Sequence, residues 1–223
     1  MGRREHLLKI YHSLFERFGS QHWWPGDTPF EVIIGAILTQ NTSWKNVERA
    51  IHSLKASGLF TPQGLYEIPI DTLAHLIRSS GYFNIKARRL KNFLSFLFKE
   101  YDGDIDVMFK EGGLVLRDKL LKINGLGPET VDSILLYAGG YPVFVIDAYT
   151  KRIFSRHSHI STDTDYHQIQ TLFMKSLPKD PHLYNEYHAL IVRVGKDLCK
   201  KRPLCSICPI EYDLHKGFKH GIK

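Results

Sequence analysis

Cysteine is scarce in this chain. There are only three in 223 residues, and all fall between positions 199 and 208. That excludes a disulfide framework spread over the fold and points instead to a clustered metal site. No apolar run reaches the length needed to span a bilayer, so no membrane partner is expected. The opening Met1-Gly2-Arg3-Arg4 leads into an amphipathic pattern rather than a signal peptide, and the expectation is a soluble protein of the cytoplasm. Internal repeats, low-complexity linkers and convincing strand pairs are all lacking. Tryptophan is also rare, with Trp23, Trp24 and Trp44 the full complement.

What is present is helical spacing. Hydrophobic residues make up 43% of the chain, enough for a sizeable core. Leu7, Leu8, Tyr11, Leu14, Phe15 and Phe18 recur at intervals of three and four, and Gly19 marks a stop. Thr28, Pro29 and Glu31 carry the signature of a helix start, and the helix that follows, from Phe30 to about Gln40, is apolar on nearly every side. Such a helix belongs in the middle of a core. Further helices are expected from Ser43 to Gly58, from Thr61-Pro62, from Asp71 to Gly81, over 84–100, on either side of 124–128, over 147–156, over 165–176 and over 181–198. About ten helices make an all-α fold. Lys and Arg outnumber Asp and Glu by 30 to 23, for a net charge of +7. That excess suits a polyanionic partner, and equally an ordinary basic protein.

The segment Leu120-Leu121-Lys122-Ile123-Asn124-Gly125-Leu126-Gly127-Pro128-Glu129-Thr130-Val131 is the strongest local signal. Two glycines one residue apart allow a tight turn with positive φ, and Pro128 suits the first turn of a second helix. A turn of this kind presents backbone N–H groups to a phosphate without reading sequence, although a plain helix–helix connection has the same pattern. About twenty residues later the apolar run Pro142-Val143-Phe144-Val145-Ile146 delivers Asp147 to the start of a helix. An aspartate there serves as an N-cap, and the same carboxylate facing a groove stabilises a sugar cation.

Hairpin, glycine turn and downstream aspartate, together with Thr28-Pro29-Phe30-Glu31, Leu38-Thr39-Gln40-Asn41-Thr42 and Gly81-Tyr82-Phe83-Asn84-Ile85-Lys86-Ala87, resemble the helix-hairpin-helix (HhH-GPD) DNA glycosylases, the superfamily that includes endonuclease III. The resemblance covers roughly residues 28–215. It implies two helical domains flanking a DNA-binding cleft. A six-helix barrel domain would span 29–138, with the hairpin at about 113–138. A second helical domain would combine 1–28 with 139–223 and carry a cysteine-rich loop at 199–215. The implied partner is double-stranded DNA containing a damaged base, met in the nucleoid by a monomer.

The resemblance assigns catalysis to Asp147, and DNA contact to Gln40, Asn41, Lys122, Asn124, Gly125, Leu126, Gly127, Thr130 and Lys151. In the endonuclease III pattern a lysine two residues after the second hairpin glycine forms a Schiff base. Glu129 stands there in this chain, which implies a monofunctional enzyme that uses water and leaves an abasic site. The early-helix glutamate of adenine mismatch glycosylases has no counterpart at Gly35-Ala36-Ile37. The Trp23-Trp24-Pro25 run resembles the 3-methyladenine glycosylase branch. It makes Trp23, Trp24 and Trp44 candidate pocket walls for a cationic N-alkylated purine, with plain helix packing as the alternative. A pyrimidine-damage glycosylase with lyase activity and a non-catalytic DNA-binding module remain the rival readings.

Cys199-x5-Cys205-x2-Cys208 has the spacing of thiolates that bind an iron–sulfur cluster or zinc. The endonuclease III pattern has one more cysteine, and His215 stands about where it would fall. A [4Fe–4S] cluster held by Cys199, Cys205, Cys208 and His215 is expected first, zinc second and no metal third. Lys196, Lys200, Lys201 and Arg202 surround this loop and suit a phosphate.

Overall fold

The computed structural model describes residues 2–214. Twelve α-helices follow in order: α1 (Arg3–Phe18), α2 (Pro29–Leu38), α3 (Trp44–Ala56), α4 (Pro62–Glu67), α5 (Ile70–Leu76), α6 (Phe83–Tyr101), α7 (Ile105–Phe109), α8 (Gly113–Leu120), α9 (Pro128–Ser133), α10 (Ala148–Arg156), α11 (Tyr166–Ser176) and α12 (Pro181–Asp197). Short 3-10 turns lie at Arg78–Ser80, Cys205–Ile207 and Glu211–Asp213, and a π-helical turn, Ile134–Ala138, continues α9. There is no strand among the described residues, so the all-α expectation holds. The 142–146 run is irregular and leads straight into α10. By contacts the chain divides into two compact units, one over Trp24–Tyr141 and the other combining the stretches up to Trp23 and from Pro142.

In the first unit α2 is the axis. Every residue from Phe30 to Leu38 is buried, and each large aliphatic side chain removed from water there contributes about 1.5–3 kcal/mol. Thr28 caps it by accepting from the Glu31 N–H at 3.2 Å. Glu31 reaches back one residue beyond the usual capping partner, accepting from the Asp27 N–H, and also pairs with Lys55 at 2.8 Å. The cations near the start of α6 are not all surface groups. Lys86 is 1% exposed, and its ammonium donates to the carbonyls of Leu38 and Ser80 at 2.8 and 2.6 Å, closing the end of α2. Lys91 does the same for α4, donating to the Leu65, Tyr66 and Ile68 carbonyls. The helix placed from Asp71 instead starts at Ile70, after Pro69, and ends at Leu76 with a 3-10 turn before Gly81.

In the second unit α12 packs on α10 and on α1. Phe144 stacks on Phe173 at 4.1 Å between ring centres, and Tyr184 and Tyr187 close edge-on around Phe144. The buried Tyr187 hydroxyl donates to the Leu7 carbonyl at 2.9 Å, fixing α1 to this core. On α1 the buried stripe is Leu7, Ile10 and Leu14, whereas Phe15 is exposed.

Candidate active site

The hairpin is α8, a turn and α9. Only one of its two glycines needs positive φ. Gly125 sits at φ +96, while Gly127, the N-cap of α9, is extended at φ −90, ψ 173. A Cβ on Gly125 would lie 2.4 Å from Arg89 Cγ, so the absence of a side chain also lets α6 approach the turn. Arg117 and the fully buried Asp132 pair across the two helices through Nε–Oδ1 at 2.6 Å and Nη2–Oδ2 at 3.0 Å. Sequence reasoning missed this clamp, because its partners lie on different helices.

Gln40 and Asn41 lie beyond the end of α2 rather than within it, since the helix closes at Leu38 with Thr39 as cap. Gln40 is engaged with the hairpin. Its Nε2 donates to the Gly125 carbonyl at 3.1 Å and the Thr130 hydroxyl at 2.8 Å, and its Oε1 accepts from Arg89. Asn41 is exposed in the left-handed region at φ 54. Lys122, Asn124, Gly127 and Glu129 are at least partly exposed, whereas the Leu126 and Thr130 side chains are buried. The last two side chains thus support the turn from inside.

Asp147 is the N-cap of α10, and its Oδ1 accepts from both the Thr150 N–H at 2.7 Å and the Thr150 hydroxyl at 2.8 Å. Its Oδ2 lies 3.7 Å from Nε2 of His188 on α12, and the carboxylate side chain retains 11% exposure. Burial pushes the His188 imidazole below the ordinary histidine value, against the opposing pull of the Asp147 charge. One side chain thus combines the cap with a second oxygen that the cap does not use. Lys151, one turn along, is half-buried.

The first unit also gathers rings. Trp24 meets Trp44 edge-on at 5.2 Å and lies 5.3 Å from Tyr137. Gly35 on α2 accommodates the Trp24 indole, since a Cβ there would sit 3.1 Å from its Nε1. Trp44 opens α3 and donates from Nε1 to Glu48 at 2.7 Å. Tyr137 went unnoticed in the sequence because it sits in the π-turn, where helical periodicity fails. Trp23 is half-buried and belongs to the other unit.

Residues 34–179 match the family model described as "HhH-GPD superfamily base excision DNA repair protein". A provisionally assigned DNA repair glycosylase of Methanocaldococcus jannaschii is 50% identical over 93% of this chain and 94% of its own. This chain is a member of the HhH-GPD superfamily. Endonuclease III of Sulfolobus acidocaldarius is 33% identical over 87% of this chain and 84% of its own. Among solved structures, Helicobacter pylori 3-methyladenine DNA glycosylase bound to 1,N6-ethenoadenine superposes with a TM-score of 0.75 at 27% identity, covering 88% of this chain and 98% of that one. A non-covalent endonuclease III–DNA complex gives 0.81 at 22% identity over 97% of each, a likeness of fold. The HhH-GPD chain is a DNA N-glycosylase. No helix among its described residues is long and apolar enough to cross a membrane.

The three cysteines of this glycosylase line one small cavity of about 20 Å³, together with His157, Leu198, Leu204 and Glu211. Arg156 donates to Cys199 Sγ at 3.1 Å and to the Lys200 carbonyl at 2.6 Å, tying the loop to α10. Burial pushes the Cys205 and Cys208 thiols up, which disfavours bare thiolates and leaves their deprotonation to a bound cation. Three soft donors on one lining, with the Arg156 guanidinium against Cys199, are the donor chemistry that an iron–sulfur cluster takes at three of its corners. His215, named for the fourth, lies outside the described residues.

Proposed function

We propose that this glycosylase is monofunctional and releases N-alkylated purines from double-stranded DNA. The observation that carries the lesion class is the meeting of Trp24, Trp44 and Tyr137 in one cluster. Aromatic faces attract a cationic base by about 0.5–2 kcal/mol, and N-alkylated purines are the damaged bases that carry that charge. The H. pylori relative, named for 3-methyladenine, supports the same reading.

In the proposed reaction the bond between the purine nitrogen and C1′ breaks, and its electron pair leaves with the base. The departing base is thereby neutralised, so little acid catalysis is needed. Positive charge builds on the deoxyribose, and the Asp147 carboxylate stabilises it. A water then forms the new C1′–O bond and gives up its proton towards Asp147 Oδ2, the oxygen not used by the Thr150 cap. The products are a free base and an abasic site. With Glu129 at the hairpin position, no amine stands there to form an imine. Cys199, Cys205 and Cys208, with His215, would hold a [4Fe–4S] cluster whose contribution is to order the basic loop for phosphate contact. Lys122, Asn124, Asn41 and the backbone of 125–127 are assigned to DNA.

Excision from duplexes carrying 3-methyladenine, 7-methylguanine, thymine glycol or uracil tests the reading. Release of the two alkylated purines is expected. Release confined to thymine glycol would favour a pyrimidine-damage enzyme, and DNA binding with no release from any of them would leave a non-catalytic module.

A further inference from the structure

A second cluster of donor atoms lies in the unit formed by the chain's two flanking stretches, and neither the glycosylase chemistry nor the cysteine loop uses it. His6 stands in α1, His159 follows α10, and Asp213 ends the 3-10 turn Glu211–Asp213. One ligand atom from each lies within 4.8 Å of the other two. His6 Nε2 is 2.5 Å from Asp213 Oδ1, and His159 Nε2 is 2.7 Å from Asp213 Oδ2. Both oxygens of one carboxylate therefore face imidazole nitrogens.

The surroundings are built to hold this arrangement. The Asp213 side chain is only 2% exposed. Burial alone would raise its pKa, but hydrogen bonds with His157 and His159 hold the carboxyl well below the usual carboxylate range. His157 Nδ1 lies 2.9 Å from Oδ2 and orients the carboxylate from behind. Ser158, between the two histidines, takes the left-handed conformation at φ 59, a costly one for a residue with a Cβ. That bend leaves the His157 and His159 rings within 6° of parallel, both reaching Asp213. His6 Nε2, in contrast, is a buried ring nitrogen that makes no hydrogen bond among the described residues, although it touches the carboxylate. A buried ring nitrogen without hydrogen-bond geometry costs free energy until a better partner engages it.

We propose that His6, His159 and Asp213 form a zinc site, with His157 as the positioning residue that orients the Asp213 carboxylate. Two imidazoles and one carboxylate are a donor set that zinc takes at about 2.0–2.2 Å, with water in a fourth position. Tetrahedral ligation at that length sets donor atoms roughly 3.3 Å apart, so the two imidazole–carboxylate contacts need open by less than about 1 Å, and all three donor atoms already lie within 4.8 Å of one another. Imidazole ligands disfavour magnesium and calcium, which prefer all-oxygen shells. His6 is 29% exposed at its side chain, which leaves the ion a route in from solvent. The bound ion would pin the start of α1 to the end of the described chain. The Ser13–Tyr212 hydroxyl contact at 3.1 Å and Lys9 over the Tyr212 ring already bring these segments together.

The test uses the full-length, untagged protein, stripped with a chelator and titrated with zinc and then cobalt(II). One equivalent of zinc is expected to bind. At about a hundredfold over its dissociation constant it should raise Tm by roughly 5–10 °C. Cobalt should give weak d–d bands that disappear in His6→Gln and in His159→Gln. His157→Gln should weaken zinc binding about 10–100-fold without removing it. Repeating the titration in Cys205→Ser separates this site from the thiols, whose cobalt complex carries an intense sulfur-to-metal band. The site is refuted if the metal response is unchanged in His6→Gln, or if Cys205→Ser abolishes it. Circular dichroism of each variant before metal addition distinguishes a lost ligand from a lost fold.

Discussion

Asp147 gives one carboxylate oxygen to the first turn of its own helix and turns the other towards His188, 3.7 Å away across the packing of α10 on α12. The two demands on this side chain can be separated by substitution. Asparagine keeps an oxygen for the Thr150 cap and removes the charge. Asp147→Asn is therefore expected to lower base release about 10²–10⁴-fold while thermal stability and DNA affinity stay close to those of the parent. Asp147→Ala should lose the cap as well and cost about 1 kcal/mol in denaturant unfolding. Equal excision rates in Asp147→Asn and the parent would remove this carboxylate from the chemistry.

The strand-cleavage question turns on Glu129, which is exposed in the first turn of α9. The parent should yield intact strands containing an abasic site, and borohydride should trap no covalent complex. Glu129→Lys places an amine at that position and is expected to gain trapping and some strand cleavage. A parent enzyme that traps under the same conditions would show that another amine acts and that the monofunctional assignment is mistaken.

Gly125→Ala joins two penalties at one atom. The backbone is at φ +96, and the new methyl would meet Arg89 Cγ at 2.4 Å. A loss of about 1–3 kcal/mol in stability is expected, with weaker binding of undamaged duplex. The mirror experiment is Gly127→Ala. Gly127 is extended, with nothing within 4 Å of an added methyl, so this change should cost only what alanine loses against glycine at an N-cap, about 0.5–1 kcal/mol.

Lys86 makes stability depend on alkaline pH. Burial, then the nearby Arg89 charge, pushes its pKa down to about 8. The unfolded chain, with an ordinary value near ~10.4, holds the proton more tightly. Between those two values the unfolded state binds more protons than the folded state, so this group's contribution to stability rises with pH across the window. Urea unfolding from pH 7.5 to 10 should show that rise in the parent relative to Lys86→Met. Parallel pH curves for the two proteins would contradict it.

Much of this architecture is legible in the sequence because it is local. Thr28, Pro29 and the apolar run after them define α2, and Asp147 stands where its helix begins because capping is decided within three residues. The features that escape are made by tertiary contact. Lys86 reads as one more surface cation until the Leu38 and Ser80 carbonyls are seen around it. The contacts of the Gln40 amide with Gly125, Thr130 and Arg89 are likewise invisible in the sequence. His6, His159 and Asp213 come from three distant segments, so no spacing rule links them. The glycine pair reads as one tight turn with positive φ, and Gly125 is the residue that takes it.

The π-turn at Ile134–Ala138 holds one residue more than an ordinary helical turn. Deleting a single amino acid there would let the backbone relax into uninterrupted α-helix and swing the following side chains by about 100°. Tyr137 would leave the Trp24 indole. On the proposed reading of this cluster, such a deletion would alter lesion preference through backbone length rather than through side-chain chemistry.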